Sequence, residues 1–483
     1  MTEHKRLFIG GRWADPSTGR TIDVVSPHTE QVLATVAAAT PADVDRAVAK
    51  ARSAFEEGPW PRLDPAERIA AVRRIAALYK TRRREMAQLI TAEMGAPITF
   101  SAFSQATLPM LLLDAYADLA GSAAWEERRP GRFGADILVR KEPVGVVAAI
   151  VPWNMPQFLI AGKLAPALLA GCPVVVKASP ETALDAQLLA EIVAEADLPE
   201  GVVSILPGDA GTGRHLVAHP GLDKVSFTGS TAVGREIAAS CGTSLKRVSL
   251  ELGGRSAAVV LDDADPAAVA EGIKLAGLMN SGQTCVAQTR VLVPAARRDE
   301  YLDALAAMVE SLQVGDPADP ATEIGPLVTR RQQERVRGYI REGQREGARL
   351  LVGGAGQPHG LDTGWYVRPT LFSEVDNGMR IAREEIFGPV LSVIAHEGDD
   401  DAVRIANDSD YGLSGSVWTA DTGRGLAVAR RVRAGSYGVN QPYTMDPAAP
   451  FGGMKASGIG RELGPEGLDG YLESKSVSVA EAG

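Results

Sequence analysis

The sequence predicts an α/β fold built on parallel sheets. Short, uniformly apolar runs rich in β-branched residues alternate with amphipathic stretches of helical length, and loops rich in glycine and proline separate them. Strands that are apolar throughout are buried on both faces, which is typical of a parallel sheet covered by helices. A chain of 483 residues exceeds one ordinary core, so we expect two or three domains.

Two regions carry this alternation. In the first, strands are predicted at 144–151, 173–177, 202–206, 224–228 and 246–252, with helices at 156–170, 183–196, 213–220 and 231–240. In the second, strands are predicted at 256–261, 289–293, 350–352, 388–394, 415–419 and 435–440. Because ligands of such sheets bind at the carboxyl ends of the strands, we expect the functional site there.

Two segments stand apart from the sheets. Residues 134–142 interrupt the first region, and the tail 471–479 alternates like an edge strand. Detached strands cannot bury both faces alone, so they predict subunit pairing and a homo-oligomer, with dimer and tetramer both open.

Composition excludes several functions. The formal net charge of −10 argues against a nucleic-acid partner, which requires a basic surface. The first residues do not form a signal peptide, and no apolar run is long enough to span a membrane. Three cysteines and six scattered histidines match neither a disulfide framework nor a metal site. We therefore expect a soluble cytoplasmic protein without a metal, and the basic run 80–85 reads as a solvated helix face.

Cys285 stands out among the cysteines. It lies in "NSGQTCVAQ", a polar run between a helical pattern and an apolar strand. Free cysteine is often a small buried hydrophobe, so a core position is the competing interpretation.

A parallel sheet also raises the question of a dinucleotide. The segment 208–213, "GDAGTG", has the glycines of a phosphate loop without the spacing. In "FTGSTAVG" (227–234) a strand runs into Gly229 and Ser230 and a helix opens behind them, which suits a pyrophosphate. An ordinary Ser-capped helix would look the same. Lys177 ends a strand at the same edge and could reach a ribose or phosphate.

Five motifs in order resemble the aldehyde dehydrogenase superfamily along nearly the whole chain: "PWNMP" (152–156), "LELGG" (250–254), "GQTC" (282–285), "EEIFGPV" (384–390) and "PFGGMKASGIGRELG" (450–464). The resemblance implies a Rossmann-type NAD(P)-binding domain (1–124, 144–253 and 457–470), a catalytic domain (254–456) and an oligomerisation arm (125–143 and 471–483). It also implies oxidation of an aldehyde to a carboxylic acid with NAD(P).

The resemblance assigns roles to the chemistry-bearing residues. Cys285 matches the nucleophile, whose thiolate adds to the aldehyde, so we expect the site to favour thiolate. Asn154 and the backbone N–H of Cys285 match the donors to the oxyanion, although Asn154 could instead cap a helix. Glu251 matches the general base for thioester hydrolysis, which a desolvated carboxylate can provide. Lys163 and Glu462 match a buried lysine and a second carboxylate; proton relay and a structural ion pair are equally open for Glu462.

The remaining matches surround the cofactor and the substrate. The resemblance places the following residues at the cofactor: Trp153, Lys177, Ser179, Pro180, Glu181, Gly211, Phe227, Thr228, Gly229, Ser230, Leu252, Gly253, Glu385 and Phe387. It places Met155, Gly162, Thr284, Val286 and Phe451 along the substrate tunnel.

Three departures from the family pattern affect specificity. Glu181 stands one residue beyond the usual ribose-binding glutamate, where Pro180 lies, and this displacement leaves NAD and NADP both open. Of the two, we expect NAD. Met155 and Gly162 replace aromatic residues, which predicts a wide apolar tunnel mouth for a medium-to-bulky aldehyde. Arg255 replaces a lysine and reads as a solvated substitution.

Two other functions compete with this one. A thioesterase or acyltransferase would use Cys285 without Glu385 and Phe387. A non-enzymatic relative would keep the fold but would be expected to have lost the nucleophile, Asn154 or Glu251, and all three are present.

Overall fold

A computed structural model describes residues 2–133, 135–443 and 445–479. The strands are β1 (Thr2–His4), β2 (Leu7–Ile9), β3 (Arg12–Ala14), β4 (Thr21–Val25), β5 (Val32–Ala37), β6 (Glu126–Pro130), β7 (Asp136–Pro143), β8 (Val147–Ile150), β9 (Val174–Ala178), β10 (Val203–Pro207), β11 (Lys224–Thr228), β12 (Arg247–Glu251), β13 (Ala257–Val260), β14 (Arg290–Pro294), β15 (Arg349–Val352), β16 (Thr370–Ser373), β17 (Val390–His396), β18 (Tyr411–Gly412), β19 (Gly415–Trp418), β20 (Gly438–Val439), β21 (Met454–Lys455), β22 (Gly458–Ile459) and β23 (Leu472–Val479).

The α-helices are α1 (Pro41–Glu56), α2 (Pro65–Met94), α3 (Ile98–Phe100), α4 (Thr107–Ser122), α5 (Pro156–Ala170), α6 (Ala183–Glu195), α7 (Ala210–Ala218), α8 (Thr231–Ser244), α9 (Pro266–Leu278), α10 (Arg298–Ser311), α11 (Arg330–Arg345), α12 (Arg380–Arg383), α13 (Asp399–Asn407), α14 (Thr422–Ala429) and α15 (Gly464–Asp469). A π-helical turn, Ser101–Gln105, joins α3 to α4.

The first sheet has the strand order β22-β12-β11-β8-β9-β10-β2-β3. Its five middle strands, β12 to β10, are parallel, and the flanking strands β22, β2 and β3 pair antiparallel. All residues of β8, β9, β10 and β11 are buried, because helices cover both faces. The α/β fold and the five strands predicted in this region are confirmed.

The second sheet has the order β15-β16-β17-β14-β13-β19-β20 and is parallel except for β15, which pairs antiparallel with β16. The strand predicted at 435–440 is shortened to Gly438–Val439. The chain turns away at Asn440, whose φ of 54° is left-handed and incompatible with an extended strand.

Three smaller sheets complete the architecture of the described residues: β1-β5-β4, β18-β21 and β23-β7-β6. The last is antiparallel and largely exposed; β7 pairs with the tail strand β23 from Pro143 with Leu472 to Asp136 with Val479. It contains both detached segments identified in the sequence. Met1, Gly134, Thr444 and residues 480–483, which belong to the expected domain ranges, lie outside the described residues.

Helix α5 is buried on every side, since α2 and α4 pack over it and the first sheet lies beneath. It begins after Met155 and ends at Gly171, whose φ of 95° favours glycine. The one charged residue of this helix, Lys163, is fully buried. Because α5 starts at the carboxyl end of β8, it carries Lys163 beneath the edge where the functional site was predicted.

Candidate active site

A cleft opens at the carboxyl ends of β8, β11 and β12, facing the second sheet. Its lining residues are Pro152, Trp153, Asn154, Thr228, Gly229, Ser230, Glu251, Leu252, Gly253, Cys285, Gln332, Arg335, Glu385 and Phe387. Eleven of these were predicted from the sequence, and the structure brings them together from segments far apart in the chain. Pro152, Gln332 and Arg335 were not predicted. Gln332 and Arg335 come from α11, whose strongly polar sequence resembles an ordinary solvated helix.

The nucleophile loop depends on three successive left-handed residues. Asn280, Ser281 and Gly282 have φ of 52°, 57° and 72°, and they turn the chain sharply before Cys285. A Cβ at Gly282 would lie 2.2 Å from the carbonyl oxygen of Gly388, so only glycine fits. Left-handed non-glycine residues are strained and cluster at functional sites. Cys285 is half-buried and faces the cleft, unlike the buried Cys172 and Cys241.

The thiol of Cys285 is not poised as the sequence led us to expect. Burial, with the negative charges of Glu385 and Glu251, raises its pKa to about 12. The backbone N–H groups of Cys285 and Val286 act in the opposite direction and favour thiolate. In the protein alone, burial and the two carboxyls therefore act against the thiolate that the sequence led us to expect.

Hydrogen bonds to its backbone carbonyl fix the position of Asn154. Its carbonyl oxygen accepts hydrogen bonds from Gln105 Nε2 at 2.8 Å and from Asn280 Nδ2 at 3.0 Å. Its side-chain Nδ2 donates to the carbonyl of Gln283 at 3.1 Å, which leaves a second N–H beside Cys285. The N-cap of α5 is Met155, not Asn154, so the helix-cap interpretation is wrong. Gln105, from the π-helical turn, was missed because nothing in the sequence marks that turn.

Glu251 ends β12 and is buried at the edge of the cleft. Among the described residues, neither carboxyl oxygen has a hydrogen-bond partner. Burial raises the pKa of Glu251 well above its ordinary value, the nearby Glu462 adds to the rise, and Lys163 and Arg461 oppose it. This is the desolvated setting that a general base requires.

Glu462 and Lys163 form a buried ion pair behind Glu251. Lys163 Nζ also donates to Thr228 Oγ1 at 2.7 Å. The backbone of Glu462 pairs with that of Phe451, through N–H···O contacts of 2.6 and 2.7 Å. Lys163 and the backbone of Phe451 therefore both hold Glu462 in place.

The opposite wall carries Glu385 and Phe387. Glu385 Oε1 accepts a hydrogen bond from Gly254 N at 3.1 Å, and burial raises the pKa of this carboxyl to about 7. A Cβ at Gly253 would lie 2.6 Å from Glu385 Oε2, so the glycine gives this carboxylate its space. Phe387 has a φ of 63° and packs edge-on against Trp153, with ring centroids 5.5 Å apart. Arg335 Nη2 donates to the carbonyl of Glu385 at 2.6 Å.

Arg255 is not solvated, so that expectation is wrong. Its side chain is among the largest fully buried ones, and its guanidinium donates to Thr289 Oγ1, the carbonyl of Ile381 and Ser392 Oγ. Hydroxyl and carbonyl oxygens thus replace water around the cation. The local sequence, a charged residue after two glycines, does not reveal whether the side chain is buried or exposed.

Helix α8 opens at Gly229 and Ser230. Ser230 Oγ accepts from Val233 N at 3.4 Å, so the capping interpretation of this serine is confirmed, yet both residues also line the cleft. Phe227 is buried in β11 and does not line the cleft; a Cβ at Gly229 would lie 2.5 Å from its ring. Phe227 therefore supports the turn from beneath.

A second group of predicted cofactor residues lies at the ends of β9 and β10. Lys177 is buried, which lowers its pKa to about 8 against the opposing charges of Glu181 and Asp209. Ser179 Oγ donates to Glu181 Oε2 at 2.5 Å, and Pro180 begins a 3-10 turn with Glu181. Gly211 lies in the first turn of α7. None of Lys177, Ser179, Pro180, Glu181 and Gly211 lines the cleft at Cys285.

The predicted tunnel residues are all buried around Cys285. Met155, Val286 and Phe451 belong to one apolar cluster, Thr284 adjoins the nucleophile, and Phe451 stacks on Tyr443 with centroids 6.1 Å apart. The wide tunnel mouth expected from Met155 and Gly162 stays a prediction. A Cβ at Gly162 would already contact Glu462 Oε2 at 3.6 Å and Leu112 Cδ2 at 3.7 Å, since α4 packs over this position.

Within residues 2–133, 135–443 and 445–479, no three His, Cys, Asp or Glu side chains are arranged to hold a metal ion. In the same ranges, none of the helices combines the length and apolar character that crossing a membrane requires.

Comparison with known proteins agrees with this geometry. The chain matches the profile of the aldehyde dehydrogenase family over residues 13–477. It is 47% identical to geranial dehydrogenase of Castellaniella defragrans, over 98% of both chains. It superposes on an aldehyde dehydrogenase of Mycobacterium tuberculosis complexed with NAD+ with a TM-score of 0.97 and 48% identity, covering 100% of this chain and 99% of that one.

A further solved relative is an aldehyde dehydrogenase C mutant of Pseudomonas syringae complexed with NAD+ and octanal. It is 42% identical, with a TM-score of 0.95 over 99% of this chain and 97% of that one. This chain belongs to the aldehyde dehydrogenase family. It is accordingly an oxidoreductase that acts on aldehydes.

Proposed function

We propose that this protein oxidises a medium-to-bulky hydrophobic aldehyde to the carboxylic acid, with NAD as the hydride acceptor. One observation carries the proposal: the thiol of Cys285, the amide of Asn154 and the unpartnered carboxyl of Glu251 line a single cleft, opposite Glu385 and Phe387. A thioesterase or acyltransferase would have no use for the last two residues.

The chain offers a suitable cradle for a dinucleotide. The N-terminus of α8 opens into the cleft at Gly229 and Ser230, and such a helix end suits a pyrophosphate. Glu385 can hold the ribose next to the nicotinamide, with Phe387 and Trp153 beside the ring. Leu252, Gly253 and Thr228 complete that wall. Lys177, Ser179, Pro180, Glu181, Gly211 and Phe227 would form or support the adenosine end.

Glu181 favours NAD over NADP in this arrangement. Its carboxylate is fixed by Ser179 beside Lys177, where the adenosine ribose would lie. A carboxylate there would repel a 2′-phosphate. The NAD+ complexes of the solved relatives are consistent with that choice.

The reaction would begin when Cys285 releases its proton to solvent water and its sulfur adds to the aldehyde carbon. The resulting thiohemiacetal carries an oxyanion, to which Asn154 Nδ2 and the backbone N–H of Cys285 donate. A bound nicotinamide would accept the hydride that leaves this carbon. Because carboxyls raise the pKa of the free thiol, a positively charged nicotinamide nearby would help to form the thiolate.

The thioester left on Cys285 would be hydrolysed by water. Glu251 would take the proton of that water, because burial raises the pKa of this carboxyl and so makes its carboxylate a stronger base. The carboxylic acid then leaves and the thiol is restored. Lys163 and Glu462 would stay paired and fix the surroundings of Glu251 during both steps.

The substrate class follows from the lining of the tunnel. Met155, Val286, Phe451 and Tyr443 offer apolar surface, and Thr284 adds no charge. One relative is named geranial dehydrogenase, and another was solved in complex with octanal. Both names are consistent with a hydrophobic aldehyde as the substrate. Since Leu112 occupies the space at Gly162, selection for bulk would depend on the outer part of the tunnel.

We further propose a cytoplasmic homo-oligomer with three parts. The cofactor domain would comprise 1–124, 144–253 and 457–470, and the catalytic domain 254–456. The arm, 125–143 and 471–483, would pair with another subunit through the exposed sheet β23-β7-β6.

The test is absorbance of reduced nicotinamide with short aliphatic, long aliphatic, terpenoid and aromatic aldehydes, using NAD and NADP separately. We expect turnover with NAD, and the greatest kcat/KM for the longer or terpenoid aldehydes. Cys285→Ala should abolish turnover yet still bind NAD, because its thiol is the nucleophile. Cys241→Ala is the matched control, since that thiol is buried in α8 away from the cleft and turnover should be unchanged.

An active Cys285→Ala protein would exclude the proposed nucleophile. Folded wild-type protein that reduces neither cofactor with any aldehyde would contradict the proposed reaction.

A further inference from the structure

Arg255 occupies a position that no step of the proposed reaction uses. It follows Gly253 and Gly254 directly after β12, and 2% of its surface is exposed. Its two Nη groups donate to three uncharged oxygens, Thr289 Oγ1, the carbonyl of Ile381 and Ser392 Oγ, while its buried Nε has no partner among the described residues. Removing a guanidinium from water costs several kcal/mol unless its N–H groups are satisfied. Moving these partners apart would therefore be costly.

The partners lie on segments that carry functional side chains. Arg255 is four positions after Glu251, Thr289 is four positions after Cys285, and Ile381 is four positions before Glu385. Since one rigid guanidinium joins all three segments, they cannot shift independently. The fixed fork geometry of arginine suits this, and a lysine would provide only a point charge.

The charge of Arg255 also acts on Glu385. The N–H of Gly254, adjacent to Arg255, donates to Glu385 Oε1 at 3.1 Å. Burial raises the pKa of Glu385 to about 7, while this N–H, Arg335 and Arg255 lower it. Among the described residues, Cys285 and Tyr411 also interact with this carboxyl. Arg255 thus helps to keep Glu385 ionised, the form that accepts hydrogen bonds from ribose hydroxyls.

We propose that Arg255 is a positioning residue: it fixes the carboxylate of Glu385, and through it the nicotinamide ribose, in register with Glu251 and Cys285. This inference rests on the proposed use of NAD. It assigns Arg255 no contact with the cofactor or the substrate, and its effect on binding passes through Glu385.

Two variants separate the charge of Arg255 from its geometry. Arg255→Gln removes the charge and keeps an amide donor, while Arg255→Lys keeps the charge and loses the fork. The matched control is Arg68→Gln, because Arg68 is also a buried arginine, binding the carbonyls of Leu169 and Leu63 on the far side of α5. Calorimetry of NAD binding and the pH profile of kcat/KM for NAD are measured for each full-length protein.

For Arg255→Gln we expect the Kd for NAD to rise about tenfold, as for a misplaced binding group. Loss of the cation raises the pKa of Glu385, so the acid limb of the profile should move to higher pH. Arg255→Lys should keep the wild-type limb and show a smaller rise in Kd. Arg68→Gln should unfold at a lower temperature with the wild-type Kd and limb, since its partners are remote from Glu385.

A folded Arg255→Gln protein with the wild-type Kd and acid limb would overturn the proposal. If that variant does not fold, a wild-type Kd in Arg255→Lys would overturn it, because the fork would be dispensable. Failure of the proposed function would look different: wild-type protein itself would bind NAD without oxidising any aldehyde, or would bind no NAD.

Discussion

Glu251 and Glu462 are buried carboxyls that lie close enough to influence each other, yet their surroundings differ. Glu462 pairs with Lys163, and its backbone is bonded to Phe451. Glu251 has no hydrogen-bond partner among the described residues, and its pKa is raised by burial and by Glu462. The same side chain is therefore held as a fixed charge in one place and left free to take a proton in the other. The sequence alone does not distinguish these two glutamates. The side chains that contact each one decide whether it can act as a base or as a structural anion.

Of the variants considered for this comparison, Glu251→Gln should have the largest effect on activity, because it removes the proposed base. The amide cannot accept a proton, so deacylation should slow by about 10²–10⁴-fold. A burst of reduced cofactor should persist in stopped-flow traces, since thioester formation does not use Glu251. A steady-state rate equal to wild type would exclude Glu251 as the base.

The stability of the same variant provides its control. The pKa of the Glu251 carboxyl is raised in the folded protein. Its contribution to stability is complete at a pH below its pKa in the unfolded chain, and it is lost as the pH rises through its pKa in the folded protein. Glu251→Gln should therefore be more stable than wild type at alkaline pH, which denaturant titration can measure. Lower stability would mean that the lost activity reflects misfolding.

Lys163→Met should remove the ion pair that distinguishes Glu462 from Glu251. It leaves a buried carboxylate unpaired, so the free energy of unfolding should fall by about 3–5 kcal/mol. Urea denaturation measures the loss. The double variant Lys163→Met with Glu462→Gln should recover most of it, and failure to recover would show that the ion pair is not what Lys163 contributes.

Glu462→Gln should have the smallest kinetic effect and sharpen the comparison. Its negative charge raises the pKa of Glu251, so its removal should move the acid limb of thioester hydrolysis to lower pH. The pH profile of the steady-state rate reports this shift. An unmoved limb with a much slower rate would instead favour direct proton relay through Glu462.

The sequence was sufficient to predict those strands, helices and site residues that are marked by a pattern of neighbouring residues. The middle strands of the first sheet and the whole of α5 were predictable, because apolar runs and helix ends are written in adjacent residues. Cys285, Asn154 and Glu251 were predictable from motifs in which spacing and residue type go together. Asn154 and Glu251 meet because parallel strands end at the same edge of a sheet, whereas Cys285 reaches the cleft from the loop before β14.

The remaining features depend on partners that are distant in the chain. Arg255 was misjudged because distant residues, Ile381 and Ser392 among them, accept hydrogen bonds from its Nη2 group in the interior of the protein. Gln105 acts on Asn154 through a π-helical turn that lacks a sequence signature. The raised pKa of the Cys285 thiol arises from burial and from carboxyls on two other segments.

The strand β22 has a consequence for how the protein is made. It pairs Leu250 with Ile459 and Glu251 with Gly458, so the strand that bears Glu251 gains its outer neighbour from beyond the entire second sheet. On a translating ribosome, β12 must remain an open edge until nearly all of the polypeptide has emerged. Such an edge invites pairing with other chains. Nascent chains stalled before residue 457 should thus be both inactive and dependent on chaperones.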